Sequence, residues 1–105
     1  MTKEEFFNRC ECGKGWYPLL EPIYDFVMWY NSTHSEPIEF RQIKEKFGGL
    51  RVYVNFHIKE LDELIDKAER KSFSVCEKCG SEENVTTKPN RPYGWILTLC
   101  DNCRK

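Results

Sequence analysis

Four of the six cysteines stand in two C-x-x-C pairs, Cys76-Glu77-Lys78-Cys79 and Cys100-Asp101-Asn102-Cys103, with 20 residues between them. Two thiolates two residues apart can face one tetrahedral cation when the turn between them is tight. Gly80, directly after the first pair, supplies the backbone freedom such a knuckle needs. Two pairs complete a set of four sulfur ligands, the coordination of a structural Zn²⁺, and leave no open position for a reacting water. A lone C-x-x-C would suit redox chemistry as well, but two pairs around a hairpin fit metal better. The motif therefore predicts one structural zinc held by Cys76, Cys79, Cys100 and Cys103.

The remaining thiols form a C-x-C pair, Cys10 and Cys12. It could begin a second metal site with His34 or His57, but no second knuckle accompanies it. The plainer reading is buried thiols beside a helix entry. Neither histidine has a local partner that would make a Cys–His nucleophilic pair. The chain carries no Gly-rich phosphate loop, no H-E-x-x-H, no G-x-S-x-G and no telling pair of carboxylates. Nothing argues for catalysis, and the expectation is a non-enzymatic protein.

The elements that must hold these cysteines are few. Thr2-Lys3-Glu4-Glu5 has the T-x-x-E pattern of a capping box, so a short first helix starts there and ends near Cys-Glu-Cys-Gly-Lys-Gly. Trp16, Leu19, Leu20, Ile23, Val27 and Tyr30 recur at the three-and-four spacing of a second helix, about residues 16–30. Pro18 suits its first turn, Pro22 should loosen or kink it, and Phe26 and Trp29 widen its apolar face. After the polar stretch N-S-T-H-S-E-P, residues 38–56 read as a β-hairpin with Gly48-Gly49 at or near the turn. Leu50, Val52, Val54 and Phe56 alternate with Arg51, Tyr53 and Asn55, whereas Ile43 falls out of phase with Ile38 and Phe40, as a bulge would explain. Leu61, Leu64, Ile65 and Ala68 mark a third helix over about 59–71, with Glu63–Lys67 and Asp66–Arg70 pairs on its wet side. In the tail, 85–88 and 95–99 read as short strands around a Pro/Asn/Gly turn. The fold class is α+β: a helix–hairpin–helix core over 1–72, and over 73–105 a four-cysteine unit, zinc-ribbon or treble-clef-like, packed on it.

With 105 residues, 31% charged and 14% aromatic, and a mean hydropathy of −0.65, the chain has the balance of one small globular unit. No apolar run approaches the roughly 20 residues that cross a bilayer. M-T-K-E-E-F-F-N-R-C has two acids where a signal peptide needs a basic end and an apolar core, so no signal peptide is expected. A cytoplasmic setting with reduced thiols and no membrane partner is expected. The formal charge of −1 is unevenly spread. Residues 1–40 carry three basic and seven acidic side chains, whereas 41–51 carry Arg41, Lys44, Lys46 and Arg51 against Glu45, and 84–105 carry Lys88, Arg91, Arg104 and Lys105 against Asp101. Four thiolates with one Zn²⁺ subtract two charges from the second patch.

Taken together, C-G-K-G-W-Y-P-L-L at 12–20, I-K-E-K-F-G-G-L-R-V-Y-V at 43–54, C-E-K-C-G at 76–80 and W-I-L-T-L-C-D-N-C at 95–103 resemble a small phage and prophage protein family. The resemblance spans nearly the whole chain. It implies a helix, a hairpin and a zinc-binding tail, and a bacterial host cytoplasm, but no activity. Lys14 stands where the family often has an acid, so no role of that acid carries over. Small phage proteins without catalytic residues commonly act by occupying a host protein's surface. The first expectation is thus an inhibitor of a host protein or nucleoprotein, of the anti-defence or anti-CRISPR type, with Lys44, Lys46, Arg51 and Tyr53 on the wet face of the hairpin as partner-binding residues. The alternatives are a nucleic-acid-binding zinc module using Arg41, Lys44, Lys46 and Arg51 with Tyr53 and Tyr93, and a protein that sequesters a small ligand.

Overall fold

The capping box forms as the sequence predicts. The Thr2 hydroxyl accepts from the Glu5 amide at 3.1 Å, the Glu5 carboxylate accepts from the Thr2 amide at 3.1 Å, and α1 spans Lys3–Asn8. The computed structural model describes residues 1–92 and 94–105 of the chain, so the predicted role of Tyr93 lies outside the described residues. A 3₁₀ turn at Lys14–Trp16 leads into α2, Tyr17–Thr33. The helix runs through Pro22 and on three residues beyond Tyr30, taking in the start of the stretch read as a loop. Pro22 offers no N–H to the preceding turn, but it lies exposed, where water satisfies the carbonyl left free. Leu20, Ile23, Tyr24 and Val27 are buried and Phe26 is half-buried, while Trp29 stays 57% exposed instead of joining a second covered side.

β1 (Phe40–Lys46) and β2 (Gly49–Val54) form an antiparallel hairpin, and the irregularity foreshadowed by Ile43 is a register shift between Phe40 and Gln42. The turn between them is Phe47-Gly48, one residue earlier than Gly48-Gly49. Both turn residues have positive φ, 53° and 87°, the two-residue type I′ geometry whose twist matches the strands. Ile43, Leu50 and Val52 are buried on one face, and the cross-strand pairs Lys44↔Arg51 and Gln42↔Tyr53 alternate onto the other. Both strand edges are occupied locally. Glu11 bridges β1, donating to the Ile43 carbonyl at 2.8 Å and accepting from the Glu45 amide at 3.1 Å. On β2, the Leu50 and Val52 amides, both 3.0 Å from their acceptors, donate to Ser72 Oγ and Glu69 Oε2 of α3, Lys59–Ser72. Of the two predicted pairs on α3, Asp66–Arg70 closes at 2.7 Å.

The core runs without a break from Phe6 through Trp16, Leu20, Ile23 and Val27 to Ile43, Leu50, Val52, Leu61, Ala68 and Val75. The tail adds β3 (Val85–Pro89), β4 (Ile96–Cys100) and the short α4 (Asp101–Arg104). β3 and β4 form a second two-stranded antiparallel sheet, giving an α+β chain with two hairpins among the described residues. The tail's own apolar centre is small: Cys76, Leu99 and Cys100, with Val85, Leu97 and Cys103 against it. No helix among the described residues is long and apolar enough to cross a membrane.

Candidate metal centre and hairpin face

The first cysteine pair sits in a turn built by the backbone. The Gly80 amide donates to the Cys76 carbonyl at 2.8 Å, the Cys76 amide donates to the Ser81 carbonyl at 2.8 Å, and Gly80 takes φ 84°, where a Cβ would be strained. The Cys79 amide points at Cys76 Sγ, 3.5 Å away. The second pair comes from different geometry: Cys100 ends β4 and precedes the first turn of α4, which carries Cys103. Knuckle, hairpin and helical turn together are the treble-clef-like variant of the expected unit.

The four Sγ atoms lie within 4.8 Å of one another, and they are the one group of three or more candidate ligands brought together among the described residues. Cys79 Sγ and Cys100 Sγ are 3.6 Å apart. Tetrahedral thiolates about 2.3 Å from a Zn²⁺ stand roughly 3.8 Å from each other, so the cluster is close to the size such an ion needs. The electrostatics agree with that fit. Burial pushes the Cys76 thiol up, but the Cys79, Cys100 and Lys78 amides turned toward it bring it down to about 6. The Cys100 thiol in the same cluster, then burial, push Cys103 up to about 12. For Cys79 the Ser81 amide pulls down, while Cys76 and Cys100 leave the net shift upward. Four thiols this close cannot all ionise alone, and a divalent cation at their centre removes the conflict.

Cys10 and Cys12 stay away from this cluster, and neither meets His34 or His57. Both are half-buried against the main core, and Cys10 Sγ donates to the Phe6 carbonyl at 3.3 Å. Burial pushes Cys10 up to about 11 and Cys12 to about 12. His34 stacks on Tyr30 with ring centroids 3.7 Å apart, and His57 Nδ1 lies 3.1 Å from Asp62.

Sequence reasoning missed the residues that dock the metal unit on the core. The Trp16 indole donates to the Val75 carbonyl, buried, at 2.8 Å. The Gly15 amide donates to the Glu77 carbonyl at 2.7 Å, and the Gly13 amide to the Glu77 carboxylate at 2.8 Å. At Gly15 an added Cβ would stand 2.6 Å from both Glu77 O and Gly80 N, so the knuckle rests directly on the glycine backbone. At the other end of the joint, the buried Thr98 hydroxyl donates to the Gly48 carbonyl and lies 2.7 Å from Thr87 Oγ1. A Cβ on Gly48 would meet Thr87 Cγ2 at 2.7 Å, and one on Gly49 would overlap the Phe73 ring. The close backbone approach that Gly48 and Gly49 permit is thus made by the chain's own tail.

Lys44, Lys46, Arg51 and Tyr53 share the hairpin face opposite the core, and none of the three cations has an ion-pair partner among the described residues. Lys44 directly faces Arg51, a like-charge pair that weakens the ladder. Comparisons of the chain with protein-family models, with curated proteins and with solved structures find no match.

Proposed function

We propose that the protein is a non-catalytic binding module in which one structural Zn²⁺ clasps the tail onto the core and the hairpin face engages a host protein or nucleoprotein. Zinc is favoured over other cations by the ligand set: four thiolates at tetrahedral spacing are soft donors that Mg²⁺ and Ca²⁺ do not take. Purified, reduced protein is expected to carry about one zinc per chain by elemental analysis. Two disulfides in the reduced protein would end this reading.

The observation that carries the binding role is the unpaired charge of the hairpin face. Lys44 and Arg51 face each other across the ladder and close no ion pair among the described residues; the one acid beside them, Glu11, accepts from Gln42 Nε2 at 3.2 Å. In the bacterial setting that the sequence resemblance implies, a small inhibitor of a host defence protein would use such a face stoichiometrically. Reversing Lys44, Lys46 and Arg51 together to Glu keeps the cross-strand pair like-charged, so the thermal midpoint should change little. Capture of a protein partner from a bacterial lysate should be lost, and in the unaltered protein that capture should survive nuclease. Undiminished capture by the triple variant rejects the face. Capture that nuclease abolishes favours the nucleic-acid alternative.

A further inference from the structure

Phe47 is poorly suited to the place it holds. It is the first residue of the type I′ turn, at φ 53°, a conformation that strains a bulky side chain and that Asn or Gly adopts freely. Strain of this kind persists only where the surrounding structure holds it, and it clusters at functional sites. Burial does not offset it, because the ring is 65% exposed. Two further apolar groups border the same turn. Phe73, 42% exposed, lays its ring over Gly49 on the face opposite Leu50, and Ile96 Cγ2 would lie 3.1 Å from a Cβ on Gly48.

The apolar tip continues into the charged face already described. Lys46 Nζ stands 5.8 Å from the Phe47 ring centroid, and Lys44, Arg51 and Tyr53 follow along the same side of the hairpin. The strand positions on that side carry no carboxylate, and the one acid bordering it, Glu11, accepts from Gln42 Nε2 at 3.2 Å and pairs with none of the three cations. Glu45, on the opposite side, holds the Gly48 amide at 2.6 Å.

We infer that the hairpin tip is the docking surface for an acidic segment of a partner protein, with Phe47 as the anchor that enters an apolar pocket and Lys44, Lys46 and Arg51 pairing with carboxylates around it. This rests on the reading of the hairpin face as the partner surface and adds the partner's chemistry and the anchor. Charge complementarity selects the occupant: three unpaired cations beside exposed aromatic rings match acids flanking an apolar group. A nucleic-acid strand fits less well, because the tip of a two-residue turn offers no groove to track phosphates and the chain's formal charge is −1.

The substitution Phe47→Asn separates anchor from fold, since Asn-Gly is the preferred type I′ pair. A random peptide library displayed on phage, panned on the metal-loaded protein, should enrich sequences that place Asp or Glu beside a bulky apolar residue. A synthetic peptide of the enriched sequence should bind Phe47→Asn about 30-fold more weakly than the unaltered protein, while the variant's thermal midpoint rises by about 4 °C. The inference is overturned if nothing is enriched, if enriched peptides lack acids, or if they bind Phe47→Asn equally well. A lowered thermal midpoint would assign Phe47 to the fold and overturn it too. Binding of a fluorescein-labelled oligothymidylate that Phe47→Asn abolishes would give the surface to nucleic acid instead. Peptide binding lost in the Lys44, Lys46 and Arg51 triple variant but kept in Phe47→Asn would retain the hairpin face and remove only the anchor.

Discussion

Burial gives Cys10 and Cys12 a chemistry opposite to that of Cys76. With thiols pushed up to about 11 and 12, only about one in a thousand Cys10 side chains is thiolate at pH 8, and the thiolate is the nucleophile. Iodoacetamide should therefore modify both residues slowly in the folded protein and rapidly in denaturant, as mass spectrometry of the digested protein would record. Fast labelling of native Cys12 would contradict the burial. The sign of the pH effect follows from the same shift. A raised thiol pKa stabilises the fold fully below the unfolded value near 9, and that contribution fades as pH climbs to about 11 and 12. Denaturant midpoints should fall across that window and fall less in a Cys10→Ser, Cys12→Ser double variant. Neither substitution should change the metal content, whereas Cys79→Ala should abolish it.

The two glycine motifs act at the level of elements, by joining them. Gly15→Ala would press a methyl group into the carbonyl of Glu77 and the amide of Gly80, backbone atoms of the metal knuckle that cannot swing aside. A loss of about 3 kcal/mol is expected from such overpacking. Gly49→Ala meets only the Phe73 ring, which can turn away, and should cost about 1 kcal/mol. Equal costs for the two in urea titrations would mean that the knuckle does not rest on Gly15. Much of the element pattern was legible in the chain. The capping box, the three-and-four spacing of Leu20, Ile23 and Val27, the alternation of Leu50 and Val52 and the doubled C-x-x-C each report a local period or spacing. The joint left no such trace. Trp16 meets Val75 and Gly48 meets Thr98 across about 50 residues or more, and contacts that distant imprint no period on either partner. The turn position moved by one residue for a related reason: Gly-Gly is the better turn pair by backbone freedom, but Phe47-Gly48 leaves Gly49 free to pass under Phe73.

Over the whole molecule, apolar support is distributed unequally along a body 49 × 22 × 20 Å in extent, with a radius of gyration of 14.6 Å against roughly 13 Å expected for a compact chain near this length. The core from Phe6 to Val75 is continuous, while the tail's apolar centre is little more than Cys76, Leu99 and Cys100. So small a centre cannot offset the entropy of ordering some 30 residues, at about 1 to 2 kcal/mol each for the backbone. Coordination of the proposed metal would supply the missing term, and with four protein ligands it would do so as a clasp. Removing the metal with a chelator should then release the tail and, with it, the parts of the core that the tail holds. In hydrogen exchange the amides of β3 and β4 should lose protection, and so should Gly15, whose acceptor is Glu77 of the knuckle. The amides of Val52 and of mid-α2 should stay protected, since their partners lie within the core. A tail that kept its protection without metal would show that docking through Trp16 and Thr98 suffices. Loss of protection throughout the chain would show that the core cannot stand without the clasp.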